Sequence, residues 1–134
     1  MKQMLEKLAA LERNIAAEKG EFSLFALLLR EDAEDKWDLL IAAPWLEADT
    51  KESLTYIVNK IRAQLTTQEL LSLSRIVFLE KGNPVLEALH RMVKVQHGMG
   101  EVRDSVVFGV PIKQAYLITS AKENPGMAAT PQPT

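Results

Sequence analysis

The chain has 134 residues, of which 47% are hydrophobic and 25% are charged, and its formal net charge is −2. It contains no cysteine, which excludes disulfides, thiolate nucleophiles and cysteine-ligated zinc. The slight acidic excess disfavours nucleic-acid binding, because a protein that neutralises several phosphates normally carries a basic excess or a basic face. We expect one domain of ordinary size that binds no nucleic acid.

The N-terminal segment is not typical of a secretory signal. Glu6 and Glu12 interrupt what would have to be the apolar region of a signal peptide. No apolar run approaches the roughly 18 residues that a membrane-spanning helix needs. We therefore expect a soluble, cytoplasmic protein with no membrane partner.

Residues 1–19 are predicted to form an amphipathic helix that stops at Gly20. Apolar side chains recur there at alternating spacings of three and four, at Met1, Met4, Leu8, Leu11 and Ile15. Two interpretations stay open: the helix covers the sheet of its own domain, or it pairs with a second subunit.

Two apolar runs follow, joined by the acidic stretch 31–35. Residues 22–30, FSLFALLLR, could form a strand or a helix, and we favour a strand because the run is short and follows a glycine. Residues 36–47, KWDLLIAAPWLE, hold the longest unbroken apolar run, which predicts a strand buried on both faces. Pro44 should end that strand. The two runs predict a β-hairpin.

The clearest helix runs from about Thr50 to Leu65, with an apolar face and a charged face. Asp49 and Glu52 have the spacing of a capping box at its start, with aspartate in place of the usual Ser or Thr. Thr66 and Glu69 repeat this spacing and predict a short helical turn after it.

Residues 75–80, RIVFLE, predict a third strand of buried character. Asn83 and Pro84 then predict a helix start, with asparagine as the N-cap and proline at the first helical position. The two glycines 98 and 100 should break the chain, so we expect this helix to end near Val95.

The last apolar region comprises Ser105–Val110 and Gln114–Thr119, both rich in β-branched and aromatic residues. It forms either a hairpin that turns at Val110-Pro111 or one long bent strand, and we favour the hairpin. After Lys122, residues 123–134 have the sequence ENPGMAATPQPT. They lack apolar periodicity and should be a disordered tail.

These elements occur in the order α-β-β-α-β-α-β-β. They predict one α+β domain over residues 1–122, in which a mostly antiparallel sheet of about five strands packs against helices. No motif indicates a cofactor, and we expect none.

Candidate catalytic groups are few. His90 and His97 are the two histidines, and neither lies near a strained serine turn. They are also weak candidates for metal ligands, although a solvated imidazole at a helix end explains His90 as well. Asp38 is a candidate general base, against the alternative that it lies at the exposed start of a strand.

One turn has the geometry expected of an anion site. Residues 80–83 join a strand to the N-terminus of a helix, so an anionic ligand could bind at Asn83 and the N–H groups that follow, with Lys81 adding charge. Lys113 and Tyr116 on the last strand would line the same pocket.

The sequence carries no motif with a specific chemistry, so function is predicted only in outline. The first hypothesis is a non-catalytic interaction or scaffold module that self-associates, as a homodimer. Its interface residues would be Met4, Leu8, Leu11 and Trp45. The alternative is a small-ligand-binding or enzymatic domain with the anion-accepting pocket near residues 80–84.

Overall fold

A computed structural model of the chain describes residues 2–32 and 35–122. The predicted tail, residues 123–134, lies outside the described residues. The helices are α1 (Lys2–Lys19), α2 (Pro44–Ala48), α3 (Thr50–Gln64), α4 (Thr67–Leu71) and α5 (Pro84–Met92). The strands are β1 (Leu24–Arg30), β2 (Trp37–Ala42), β3 (Leu73–Phe78), β4 (Gly100–Val107) and β5 (Val110–Ser120). None of these helices is long and apolar enough to cross a membrane.

The five strands form one sheet in the order β3-β2-β1-β5-β4. All neighbouring strands are antiparallel except β2 and β3, which are parallel. The predicted α+β fold with a mostly antiparallel five-stranded sheet is therefore confirmed, with one parallel pair added. Parallel neighbours need a crossover connection, and α2, α3 and α4 provide it between β2 and β3.

Every residue of β2 is buried. Leu39 and Ile41 belong to a core cluster that includes residues of α1 and α3, whereas Leu40 and Ala42 belong to a second cluster with α5. Alternate side chains of a strand point to opposite faces of the sheet, so the two clusters lie on its two sides. The prediction of a strand buried on both faces is confirmed.

The leucine-rich run at residues 22–30 forms β1, which confirms the strand and its hairpin with β2. β1 is hydrogen-bonded to β2 on one side and to β5 on the other. Its leucines have a good intrinsic helix propensity, but burial between two neighbouring strands outweighs that preference. β1 and β2 are thus interior strands, and β3 and β4 are the edges.

α1 covers the sheet of its own chain, in agreement with the first of the two interpretations. Met4, Leu8 and Leu11 are buried in the core cluster that α1 shares with α3. These are three of the four residues that were predicted to lie at a subunit interface. Because their side chains face the protein's own sheet, they present no exposed surface to a partner.

Two of the three predicted helix N-caps are present in the structure. Glu69 N donates to Thr66 Oγ1 and Thr66 N donates to Glu69 Oε1, which confirms that capping box. Asn83 caps α5 as predicted. The predicted Asp49 cap is wrong, since its side chain makes no capping hydrogen bond. Asp49 instead lies in the one-residue junction between α2 and α3.

Two boundaries in the C-terminal part differ from the prediction. α5 ends at Met92 rather than near Val95, because Val95 pairs with Ser120 at the end of β5. The predicted hairpin is confirmed, but it does not turn at Val110-Pro111. The two residues between its strands are Phe108 and Gly109, with φ of +46° and +81°. Proline cannot adopt such angles because its ring fixes φ near −65°.

Trp45 connects the start of α2 to the α1–β1 connection. Its Nε1 donates to the carbonyl of Gly20 at 2.8 Å, and its ring meets the edge of Phe22 with the ring centres 5.4 Å apart. The side chain is half-buried. Of the four predicted interface residues, Trp45 is therefore the one with exposed surface, although it also has packing contacts of its own.

Two substitutions of Trp45 distinguish the contribution of its hydrogen bond to stability from that of its ring packing. We expect Trp45→Phe to lower the free energy of unfolding by about 1 kcal/mol, because the Gly20 carbonyl loses its donor. Trp45→Ala should cost about 3 kcal/mol, since the contact with Phe22 is lost as well. Urea unfolding of both variants measures the difference. Equal losses in the two variants would contradict this division.

Candidate functional site

The structure does not bring the four predicted ligand residues together. Lys113 lies beside the C-terminal end of β1, between the residues that pair with Leu29 and Arg30. Lys81 and Asn83 follow the C-terminal end of β3, which runs antiparallel to β1. The two groups are therefore at opposite ends of the sheet, separated by roughly the 20 Å of a six-residue strand. The predicted common pocket is not formed.

The turn at residues 80–83 also lacks the donors that an anion would need. Val85 N and Leu86 N both donate to Asn83 Oδ1, at 2.8 and 3.4 Å. The backbone N–H of Lys81 donates to Glu47 Oε2 at 2.9 Å. The first N–H groups of α5 are thus used by the cap itself, which weakens the anion-accepting alternative.

His90 is buried, so the expectation of a solvated imidazole at a helix end is wrong. α5 turns the ring towards the start of β1, where Nε2 lies 2.9 Å from the carbonyl oxygen of Ser23 and must donate to it. Nδ1 has no hydrogen-bond partner within residues 2–32 and 35–122. The ring lines a cavity of about 30 Å³ together with Ser23, Gly82 and Leu86, which is large enough to admit water.

Asp38 is buried rather than exposed at the start of its strand. Its carboxylate lies 3.2 Å from Arg30 Nε and 3.3 Å from Arg75 Nε. The arginines come from the two strands that flank β2: Arg75 is the cross-strand partner of Asp38, and Arg30 lies two residues beyond Leu28, its partner on β1. Because two guanidinium groups contact the carboxylate, Asp38 is poorly placed to act as a general base.

Tyr116 packs on the opposite side of the sheet from α5. Its ring lies 5.6 Å from the ring of Trp37, and its hydroxyl accepts a hydrogen bond from Gln114 Nε2 at 2.8 Å. Gln114 also donates to Glu101 Oε2 at 2.7 Å. These contacts form a surface network across β4 and β5.

His97 lies in a polar network that joins α1, the α1–β1 connection and β5. Its Nδ1 is 2.7 Å from Glu12 Oε1 and its Nε2 is 2.8 Å from Glu21 Oε1. Glu12 is fully buried, and its second oxygen accepts from Thr119 Oγ1 at 2.7 Å. Arg13 donates to the carbonyl of His97 at 2.9 Å. The hydrogen bond with Glu12 raises the pKa of His97.

The two weak metal candidates are thus engaged in separate contacts, His90 with Ser23 and His97 with two glutamates. Within the described ranges, no group of three or more His, Asp or Glu side chains could hold a metal ion. The polar network at His97 escaped sequence reasoning, because Glu12 and His97 are 85 residues apart and no local pattern links them.

An exposed apolar patch lies at the tip of the β4–β5 hairpin. Val106 and Phe108 are 65% and 64% exposed, and the exposed Pro111 is the cross-strand partner of Val106. We call these three residues the tip patch. Beside it, a groove of about 340 Å³ is lined by Pro111 and the charged residues Arg30 and Asp32, among others. The patch is therefore apolar with both signs of charge next to it.

Phe108 is unusual in both its backbone and its exposure. Its φ of +46° lies in the left-handed region, which is unfavourable for a bulky residue. Two-residue hairpin turns of this kind strongly prefer Asn-Gly or Asp-Gly. Phe108 keeps the strained conformation while its ring stays mostly in solvent, so burial among the described residues does not offset the cost. Strain of this kind is a reason to look for a function at the site.

No protein-family model, curated protein or solved structure matches the chain.

Replacing Phe108 with asparagine should stabilise the protein. Asparagine tolerates the left-handed region and forms the preferred Asn-Gly turn with Gly109, so we expect the free energy of unfolding to rise by about 0.5–1 kcal/mol. Leu71→Asn is the matched control, because Leu71 is also 64% exposed but lies in α4. Urea unfolding should show a gain for Phe108→Asn alone. A loss of stability in Phe108→Asn would mean that the aromatic ring contributes to folding.

Proposed function

We propose that the protein is a non-catalytic interaction module that self-associates through the tip patch. The single observation that carries the proposal is Phe108, an aromatic side chain that is exposed on a strained turn. Such a residue lowers the stability of the isolated chain and gains nothing from its own core. The expected compensation is burial against a partner, since aromatic residues supply much of the energy of protein interfaces.

The composition of the patch favours a second copy of the same chain as the partner. A twofold contact places the same surface on both subunits, so that surface must complement itself. Val106, Phe108 and Pro111 carry no charge and can face their own counterparts without repulsion. Beside them, Arg30 Nη1 lies 3.5 Å from Asp32 Oδ1. In a twofold contact the Arg30 of each copy could therefore meet the Asp32 of the other.

The small size of the patch predicts weak association. A standard stable interface involves about 20–30 residues on each side, whereas the patch and its charged flank comprise only a handful. We therefore expect a dimer with a dissociation constant in the micromolar range or weaker. The dimer should form and separate readily as the concentration changes.

The imidazoles of His90 and His97 both interact with groups of the protein itself, which supports a non-catalytic role. His90 donates to a backbone carbonyl, and both nitrogens of the His97 ring face carboxylates. The hydroxyl that lies closest to this network, Thr119 Oγ1, contacts Glu12 and the backbone N–H of His97 rather than the ring. Neither imidazole is thus arranged to activate a nucleophile.

Size-exclusion chromatography with light scattering tests the proposal. The mass of the wild type should rise above the 15.0 kDa of one chain as the concentration increases from about 10 to several hundred micromolar. Phe108→Asn should remain monomeric over this range, although it is more stable, and Leu71→Asn should associate like the wild type. This pattern would separate loss of the interface from loss of folding.

Two results would contradict the proposal. One is a wild type that keeps the mass of a single chain at every concentration. The other is an equal effect of Phe108→Asn and Leu71→Asn, because exposed apolar surface in general would then explain the association.

A further inference from the structure

We propose that Glu12, His97 and Glu21 form a pH-sensitive latch that holds residues 96–99 against α1 and opens when His97 loses its proton. The latch is independent of the tip patch, which lies at the other end of β4. It joins three parts of the chain: Glu12 belongs to α1, Glu21 to the α1–β1 connection, and His97 to the connection between α5 and β4.

The geometry of the ring calls for a positively charged His97. A neutral imidazole carries one N–H donor, whereas its other nitrogen is an acceptor. Here Nδ1 and Nε2 both lie within 2.8 Å of a carboxylate oxygen, Glu12 Oε1 and Glu21 Oε1. Nδ1 is hydrogen-bonded to Glu12, and the contact of Nε2 with Glu21 is an ion pair only when the ring carries two protons. In the neutral ring, one nitrogen lone pair would face a carboxylate oxygen.

Burial of Glu12 makes the proton on His97 important for the fold around it. An ionised carboxylate that is removed from water is costly unless it is paired and hydrogen-bonded. Glu12 is 0% exposed, with Thr119 Oγ1 as one donor and His97 as its cationic partner. Loss of the His97 proton would leave this carboxylate without a counter-charge.

The charged groups that face His97 come from two elements. α1 contributes Glu12 and also Arg13, which donates to the backbone carbonyl of His97. The α1–β1 connection contributes Glu21. β5 presents the uncharged Thr119, whose hydroxyl accepts from the N–H of His97 at 3.1 Å. Both carboxylates favour the charged ring, in keeping with the raised pKa of His97.

The raised pKa of His97 sets how the stability of the latch changes with pH. A histidine whose pKa is raised on folding stabilises the folded form fully below its unfolded value, near 6.5. This contribution is lost as the pH rises through the raised value. The latch is therefore closed below about pH 6.5 and opens as the pH rises through the raised pKa of His97.

The segment that opens is only four residues long, and its backbone is also held by hydrogen bonds from Arg13 to the carbonyl of His97 and from the N–H of His97 to Thr119. His97 has a φ of +51°, which is unfavourable for a residue other than glycine. Gly98 N donates to the carbonyl of Ile118 at 3.0 Å, and the next residue, Met99, is 47% exposed. Before this segment, the paired Val95 and Ser120 stay bound to each other. Opening is thus confined to residues 96–99 and would give solvent access to Glu12.

Titration of the imidazole signals by NMR is the first test. The chain has two histidines, so the signal that disappears in His97→Gln belongs to His97 and the other to His90. The pKa of His97 should lie above the usual value of about 6.5. Glu21→Gln should lower it by removing one of the two carboxylates at the ring. Glu18→Gln is the matched control on the exposed end of α1 and should leave it unchanged.

Amide hydrogen exchange is the second test. The amides of His97 and Gly98 should lose protection as the pH rises through the pKa of His97, after correction for the intrinsic rate. For each unit by which the pKa of His97 is raised, the protection factor of these amides should fall about tenfold. The amide of Leu79, which donates to the carbonyl of Ile41 in the sheet, is the reference and should keep its protection. His97→Gln should abolish the pH dependence.

A pKa of His97 at or below 6.5 would overturn the proposal. So would protection at His97 and Gly98 that does not change with pH relative to Leu79. Both measurements are made on the wild type, so they decide the question even if His97→Gln fails to fold.

Discussion

Burial of β1 and β2 on both faces is the constraint on which the rest of the structure depends. The side chains of these two strands alternate between two core clusters, and each cluster needs its own cover. α1 and α3 supply it on one face and α5 on the other. β5 pairs with the free side of β1, and β3 and β4 then lie at the two edges of the sheet. The apolar interior thus decides where every other element lies.

The same constraint explains why the buried polar groups are paired. Glu12, Asp38 and Thr119 lie on elements that contact the core, and burial without partners would be costly. Asp38 is matched by arginines from β1 and β3, and Glu12 by Thr119 and His97. Within the described ranges, two buried side-chain atoms have no hydrogen-bond partner: Asp38 Oδ1, which still contacts Arg75, and His90 Nδ1, which lies beside a small cavity.

At the β4–β5 hairpin, the conformational preference of a residue conflicts with the backbone conformation that the fold gives it. Thr66, Glu69 and Asn83 occupy positions that suit their chemistry. Phe108 occupies a left-handed turn that it does not suit, and its ring lies outside the core. Natural sequences are locally consistent in most places, so a departure without a gain in folding points to function. His97 also has a positive φ, but there the two carboxylates provide the compensation.

The sequence by itself determined the features that depend on neighbours along the chain. The apolar runs predicted β1 and β2, the capping pairs predicted the starts of α4 and α5, and the last region predicted a hairpin, because burial and capping leave local patterns. Only the tertiary structure decided the parallel pairing of β3, the burial of Asp38 and His90, and the contact between Glu12 and His97. These depend on which strands become neighbours. That choice is made by packing between segments far apart in the sequence, which no local spacing records.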